Sequence, residues 1–542
     1  MPTSTRTATG QTSSIGIVGA GPGGLASAML LAGSGAKVTV YEAGPIVGGR
    51  TARVSLDAPG GGQYWFDRGP TFFMMPYVLE EVFRAVGRKL EDEAELIPLD
   101  PMYRLLMGRA GKDPLVLDTT RDVEEMSRRI SEVHGPDGAA FARFMRDNKA
   151  KLDAFEPILR HPMCGPTDLA FPEAIASLPK LKPWQTVHDQ LSGYFENDLV
   201  RLAVCFQSKY LGMSPYDCPS LFTILPFIEY AYGIWHPKGG CHGLMLAMAR
   251  VAEELGVEIK TDTSVDSITF AGKKATGLVV NGEHVAHDKV VVNADAAHAM
   301  KTLIPEQLRT SRHSDASLDK MRYSCSTYML YLGVDGVVDQ PHHTIYTSTK
   351  YLQNLEDITT NGTLSDDPSV YVCNPALADP SMAPEGKSAL YVLAPVPNMR
   401  DGKIDWTQEG PAYRERVLDQ LENVMGIERI RDRIEAEREY TPETWRGMGI
   451  NWGATFNLAH NLGQMLHLRP QNKLKGVDGV FLAGGGTHPG SGLPTIFLSA
   501  QIAAELICRE QGLDYCGRGV AEDVHGWQPE GTAPATREPV AV

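Results

Sequence analysis

Residues Ile15-Gly16-Ile17-Val18-Gly19-Ala20-Gly21-Pro22-Gly23-Gly24 decide how this chain is read. A short apolar strand breaks into a glycine-rich turn, and the small and apolar residues 25–32 continue as a helix. A second strand, Val38-Thr39-Val40-Tyr41, ends on Glu42, 18 residues beyond Gly24, and Gly48-Gly49-Arg50 follows. Each part has a task in holding a dinucleotide. Gly19 permits the tight turn, Gly21 lets the backbone approach a pyrophosphate, and Gly24 lets helix and strand pack closely, with Gly23 between them. The helix N-terminus offers unpaired N–H groups and a positive dipole end to the phosphates. Glu42 is placed to accept hydrogen bonds from a ribose, and its charge would repel a 2′-phosphate. That leaves FAD or NAD. The second glycine pair, with Gly49 and Arg50 just past the ribose strand, favours a backbone hugging the longer, extended FAD.

The whole chain sets outer limits. At 542 residues it exceeds one core and splits into two or more units. Its net charge of −15 argues against a nucleic-acid partner, which needs a basic surface. The eight cysteines are scattered without a CxxC pair, so no metal site is expected and the compartment reads as reducing cytosol. Two long uncharged stretches, 7–36 and 479–504, are each broken by glycine or proline, and no transmembrane helix is expected. Residues 1–14 lack the apolar region of a signal peptide and are expected to be a disordered lead, as is the tail at 517–542.

The pattern predicts an α/β protein. A discontinuous Rossmann-like FAD-binding domain (15–110, 235–299 and 441–510) carries an inserted mixed α+β substrate domain (111–234 and 300–440). The middle cofactor segment has a helix at 244–254, strands at 257–259 and 265–270, and an Asn281-Gly282 hairpin. A buried strand then ends on Asn293-Ala294-Asp295. Near the C-terminus the strand 479–483, the turn from Gly484 to Gly492 and a helix from Pro494 repeat the strand–turn–helix order. That helix N-terminus is read against the electron-rich end of a flavin ring. Two apolar runs, 220–228 and 72–77, are candidates for core or for a substrate-channel wall.

Taken together, these segments resemble the bacterial and fungal phytoene desaturase family. The matching residues are Val18 to Leu25, Glu42, Gly48-Gly49-Arg50, Phe66-Asp67-Arg68-Gly69-Pro70-Thr71 and Trp235-His236-Pro237-Lys238-Gly239-Gly240. Asn293-Ala294-Asp295, Arg469-Pro470, Asn472 and the narrower Ala483-Gly484-Gly485-Gly486-Thr487-His488-Pro489-Gly490-Ser491-Gly492-Leu493-Pro494 complete them. The resemblance implies non-covalent FAD and a polyprenoid substrate. It also implies a cytoplasmic protein bound monotopically to the membrane surface. By the same match Val265 lies beside the adenine. Gly485, Gly486, Thr487 and Pro494 belong to the second cofactor segment, where Gly485 and Gly486 replace an acidic residue and leave the ribityl contact to backbone groups.

Desaturation removes a hydride and a proton from adjacent carbons of a substrate with no polar handle, so an apolar tunnel must orient it. Transferring roughly thirty to forty carbons from water at about 0.8 kcal/mol per CH₂ would exceed the ceiling of real affinities, near 21 kcal/mol. Delivery from a bilayer avoids that imbalance, and residues 158–191, with Lys180, Lys182 and Trp184, form the candidate docking segment. Glu229, His236 and His488 are titratable groups near the motifs, without an assignable catalytic acid or base. Oxygen or a quinone is the expected electron acceptor. The alternatives are a C30 dehydrosqualene or squalene desaturase, a carotenoid isomerase, an end-group oxidase, a flavin amine oxidase, or a flavin-free prenyl-binding escort protein.

Overall fold

Parallel strands buried on both faces need continuous apolar runs, and the cofactor segments supply them. A computed structural model describes residues 13–524 and Trp527. In it the strands Val480–Leu482, Lys289–Val292, Ser14–Val18, Lys37–Tyr41 and Glu258–Lys260 lie side by side in that order, every pairing parallel. Ile17 stands in register with Val40 on one side and Val291 on the other, and Val291 with Phe481. Three distant parts of the chain thus build one sheet. Helices Pro22–Gly33, Cys241–Glu254 and Leu493–Gln511 cover it, and the first packs on both others. An antiparallel sheet of Val265–Ala271, Lys274–Val280 and Glu283–Ala286 sits beside it. Asn281 and Gly282 make its hairpin turn at φ 52° and 78°.

The second large sheet has seven strands: Ile434–Tyr440, Ser326–Val334, Ser388–Val396, Val370–Cys373, His343–Thr347, Arg104–Arg109 and Lys112–Asp118, in that order. Its side chains alternate with the strand period of two. Tyr328, Leu330 and Leu332 pack with Trp406 and Val417 of helix Trp406–Asp419, whereas Met329 and Tyr331 join Phe66, Tyr391 and Trp445 on the opposite face. That second face looks towards the cofactor sheet. Arg104–Arg109 and Lys112–Asp118 pair as a hairpin, so the expected boundary at 110/111 falls inside one structural unit.

The remaining insertion is helical, with Val123–Val133, Gly135–Arg160, Pro172–Leu181 and Ile224–Tyr232 among its helices. Of the two apolar runs, 220–228 folds as a turn and helix in the core, while Phe72 and Met74 face the cavity described below. Among the described residues no helix is long and apolar enough to cross a membrane. The expected disordered lead and tail lie mostly outside the described residues. Ser14 already belongs to the first strand, and within the tail Val520–Val524 is a helix packed on Pro76–Ala85.

Candidate active site

One cavity of about 930 Å³ runs from the carboxyl ends of the cofactor strands to the inner face of the seven-stranded sheet. Gly19, Gly21, Glu42, Gly49, Arg50, Val265, Gly485 and Pro494 line it, so most residues singled out from the sequence converge there. Gly23, Gly24, Gly486 and Thr487 are absent from its lining and stand behind it. The reason is packing. A Cβ on Gly24 would lie 2.1 Å from the Gly19 carbonyl oxygen, and one on Gly486 would lie 2.9 Å from Ala296 Cβ. Gly19 itself turns at φ +94°, a conformation that side chains oppose.

Two helix N-termini open onto this cavity. Helix Pro22–Gly33 begins at Gly21 and helix Leu493–Gln511 at Gly492, and neither N-cap carries a side-chain hydrogen bond. Their first N–H groups and positive dipole ends are therefore directed at whatever fills the space. Glu42 closes the second strand, its Oε2 accepting from Ala20 N at 2.8 Å and its Oε1 from Gly44 N at 2.9 Å. A carboxylate offers about four lone-pair sites, so these bonds orient it and leave capacity for ribose hydroxyls. Asn293 donates to the Ala483 carbonyl at 2.7 Å, and its Oδ1 is buried with no protein partner. Arg50 Nη1 donates to the Thr455 carbonyl at 2.8 Å and to Asn457 Oδ1 at 3.0 Å. Burial lowers its pKa, opposed by the nearby Asp295. Arg68 Nη1 donates to the Gly49 carbonyl at 3.1 Å, and its Nε is another orphaned donor. A cradle too tight for a Cβ, two uncapped helix ends and orphaned polar atoms fit an extended dinucleotide such as FAD.

The far end of the cavity is aromatic and aliphatic: Phe72, Met74, Phe206, Tyr210, Tyr371 and Leu393. Phe72 is the hub, with ring centroids 5.5 Å from both Tyr210 and Tyr371. The segment Phe66 to Thr71 is clamped to the seven-stranded sheet, Tyr331 donating to the Arg68 carbonyl at 2.5 Å and Tyr391 to the Gly69 carbonyl at 2.7 Å. Asp67 caps helix Cys241–Glu254, its Oδ2 accepting from Cys241 N at 3.0 Å and its Oδ1 from His242 N at 3.1 Å. Burial nevertheless raises its pKa to about 6. Lys209 also lines the cavity, and burial lowers its ammonium pKa to about 8.

The three titratable groups singled out from the sequence do not line the cavity. Glu229 is buried behind the aromatic wall and accepts from Tyr103 and Gln207. His488 Nε2 lies 3.0 Å from the His161 carbonyl, which ties the glycine turn to the helical insertion. His236 contacts His342. Arg68 stood in the Phe66 to Thr71 motif without a role, and sequence reading missed Lys209, Tyr371 and the cluster of His342, His343 and Cys373, whose donor atoms lie within 4.8 Å of one another. The adjacent His342-His343 pair was the one available signal.

Comparison with known proteins agrees with this geometry. Residues 22–508 match the family model described as flavin containing amine oxidoreductase. The chain is 42% identical to a 4,4'-diapophytoene desaturase (4,4'-diapolycopene-forming) of Methylomonas sp, over 91% of this chain and 95% of that protein. It is also 42% identical to an all-trans-zeta-carotene desaturase of Myxococcus xanthus, over 92% and 93%. A solved oxidoreductase from Methanosarcina mazei shares the fold at a TM-score of 0.61 and 17% identity, covering 91% of this chain and 99% of its own. The chain therefore belongs to the flavin-containing amine oxidoreductases and, within them, to the FAD-dependent carotenoid desaturases.

Proposed function

We propose that this protein introduces double bonds into a polyprenoid carotenoid precursor, phytoene or its C30 counterpart 4,4'-diapophytoene, at the membrane surface. One observation carries the reading: the dinucleotide cradle and the wall of Phe72, Met74, Tyr210 and Leu393 belong to a single continuous cavity. In this reading Gly19, Gly21 and the N-terminus of helix Pro22–Gly33 hold the pyrophosphate, Glu42 the ribose, and Val265 the adenine side. Arg50, Gly485 and Pro494 serve the flavin end. Gly23, Gly24, Gly486 and Thr487 keep the two turns closely packed. Bound FAD supplies the hydride acceptor. The chain's own residues orient an apolar substrate by shape, and the aromatic wall keeps water away from it.

An amine substrate fits less well. The acidic residues lining the cavity are Glu42, Asp266 and Asp295, all on the cofactor strands or their adjoining hairpin and turn. Among the described residues a cation would find no carboxylate on the aromatic wall.

Membrane association is supported by helix Pro172–Leu181 and its sequel. Ile175 and Leu178 are 58% and 50% exposed, and Trp184 is 70% exposed beside the exposed Lys180 and Lys182. Apolar side chains flanked by lysines and a tryptophan suit the interfacial layer of a bilayer. The electron acceptor in this reading is oxygen or a membrane quinone. Expression in cells that accumulate either phytoene or 4,4'-diapophytoene tests the assignment, with pigments read by chromatography and visible absorbance. Coloured products in at least one host are expected. Colourless cells in both, with the protein present and flavin-loaded, would refute it.

A further inference from the structure

Desaturation leaves a proton in a cavity whose substrate wall is apolar, and a charge there is costly unless it is paired or removed. A continuous line of buried side chains leads away from that wall. Thr71 and Tyr371 both line the cavity, with Thr71 Oγ1 2.6 Å from the Tyr371 hydroxyl. The same hydroxyl lies 2.8 Å from His343 Nδ1. His343 Nδ1 is 3.3 Å from His342 Nδ1, and His342 Nε2 is 3.0 Å from His236 Nδ1. His236 Nε2 faces Asp379 Oδ2 at 3.5 Å. Asp379 Oδ1 accepts from the hydroxyl of Ser381 at 2.6 Å, and Ser381 is exposed.

We infer that Tyr371, His343, His342, His236 and Asp379 form a proton-exit relay from the substrate cavity to solvent at Ser381. This rests on the desaturase reading above. None of the three histidines and no part of Asp379 is needed to line the cavity, yet His236, His342, His343 and Asp379 are all buried. Phe72 stacks on His343 with centroids 4.2 Å apart and planes 12° apart, which fixes that ring beside the cavity.

One resting set of protons fits the close contacts along the line and leaves His343 Nε2–H without a protein partner. Tyr371 O–H donates to His343 Nδ1, and the Cys373 thiol, 3.7 Å away, donates to His342 Nδ1. His342 Nε2–H donates to His236 Nδ1, and His236 Nε2–H faces Asp379. Two bare nitrogens then face each other across the 3.3 Å step between His343 and His342. A proton reaching His343 Nδ1 has an acceptor there. Burial keeps His342 and His343 neutral, with pKa values well below the ordinary imidazole value, so neither ring retains a proton passed through it. At the outer end burial would raise Asp379, but the facing His236 ring and hydrogen bonds from Ser381 and the Gly239 N–H hold it below the usual carboxylate range. It therefore stays ionised and draws the proton outward.

One substrate carbon loses hydride to the oxidised flavin of the proposed reaction. The neighbouring C–H breaks, its electron pair becomes the second bond of the new C=C, and its proton passes to the Tyr371 oxygen. Tyr371 gives its own proton to His343 Nδ1, which passes one to His342 Nδ1. His342 releases one from Nε2 to His236 Nδ1, and His236 releases one from its Nε2 towards Asp379, Ser381 and water, which leaves both rings protonated on Nδ1 until they turn back to the resting set before the next proton passes.

Two measurements test this. In the first, FAD-loaded protein on liposomes carrying its substrate is mixed anaerobically, and flavin bleaching is followed together with proton release to an indicator dye. In the wild type both are expected to occur together. Tyr371→Phe should slow bleaching at least tenfold at saturating substrate, with flavin content and melting temperature retained. His342→Gln breaks the line away from the cavity wall and should delay proton release at least tenfold behind bleaching, an offset that a purely structural defect would not create. Unchanged bleaching in Tyr371→Phe, together with prompt release in His342→Gln, would overturn the relay. A wild type that never bleaches would instead refute the desaturase reading and the relay with it. The second measurement needs no turnover: nitrogen-15 NMR of histidine-labelled protein should find His342 and His236 as Nε2–H tautomers. An Nδ1–H tautomer at His342 would also overturn the proposal.

Discussion

Arg469 Nη2 donates to the carbonyl of Gly485 at 2.7 Å from a fully buried position. The same guanidinium donates through Nε to Thr487 at 3.2 Å and through its other nitrogens to the carbonyls of Leu458, Ala459 and Gln464. One cation thus holds the second glycine turn against the loop before it. Burial lowers its pKa to about 9, which leaves it charged at neutral pH. Arg469→Met strips several buried carbonyls of their charge-assisted donors and should cost about 3 kcal/mol or more. Thermal melting and flavin retention after gel filtration measure both consequences. A variant that melts as the wild type does and keeps its flavin would contradict this role.

Gly24 makes a sharper case for the first turn. Gly24→Ala places a Cβ 2.1 Å from the Gly19 carbonyl, against backbone that cannot step aside. Flavin affinity should fall at least tenfold, and stability by roughly 1–3 kcal/mol as for other overpacked sites. Gly135→Ala, where a Cβ meets nothing within 4 Å, is the control and should bind flavin normally. Fluorescence titration of flavin into the apoprotein distinguishes the two.

Glu229 gives a pH dependence with a definite sign. Burial raises its pKa from 4.5 to about 7, although Gln207 and Tyr103 donate to it at 2.9 and 2.8 Å. Between those values the unfolded chain has lost the proton and the folded one still holds it. Stability from this group therefore falls as pH rises from about 4.5 to about 7, by roughly 3 kcal/mol in all. Glu229→Gln removes that loss. The difference in melting temperature should move in the variant's favour across the window, and parallel curves would contradict the assignment.

Exposed apolar residues on helix Pro172–Leu181 and at Trp184 set up a membrane test. Each buried side chain of this size contributes about 1.5–3 kcal/mol when fully transferred. Replacing Leu178 with Ser and Trp184 with Ala together should lower co-flotation with liposomes about tenfold. Flavin content should not change. Equal flotation would mean that another surface docks.

The cofactor half of the fold was legible because its signals are local. Ile15 to Gly24 and Val38 to Glu42 each hold a complete strand-end instruction, and Gly484 to Pro494 repeats it. The seven-stranded sheet was not legible, for two physical reasons. His343–Thr347 pairs in parallel with Arg104–Arg109, a partnership no neighbouring residue announces. Both faces of Ser326–Val334 are buried, so its alternation of two carries no polar half to reveal it. The site shows the same division. Glu42 and Arg50, picked out beside a motif, line the cavity, whereas Tyr371 and His343 meet through contacts that only the folded chain creates.

The most direct test of the central claim mixes the purified, FAD-loaded protein anaerobically with liposomes containing phytoene or 4,4'-diapophytoene. Visible flavin absorbance is expected to bleach with at least one of them, with one new double bond in the product for each flavin reduced. A folded protein that binds no flavin, or a bound flavin that stays oxidised with both substrates, would contradict it.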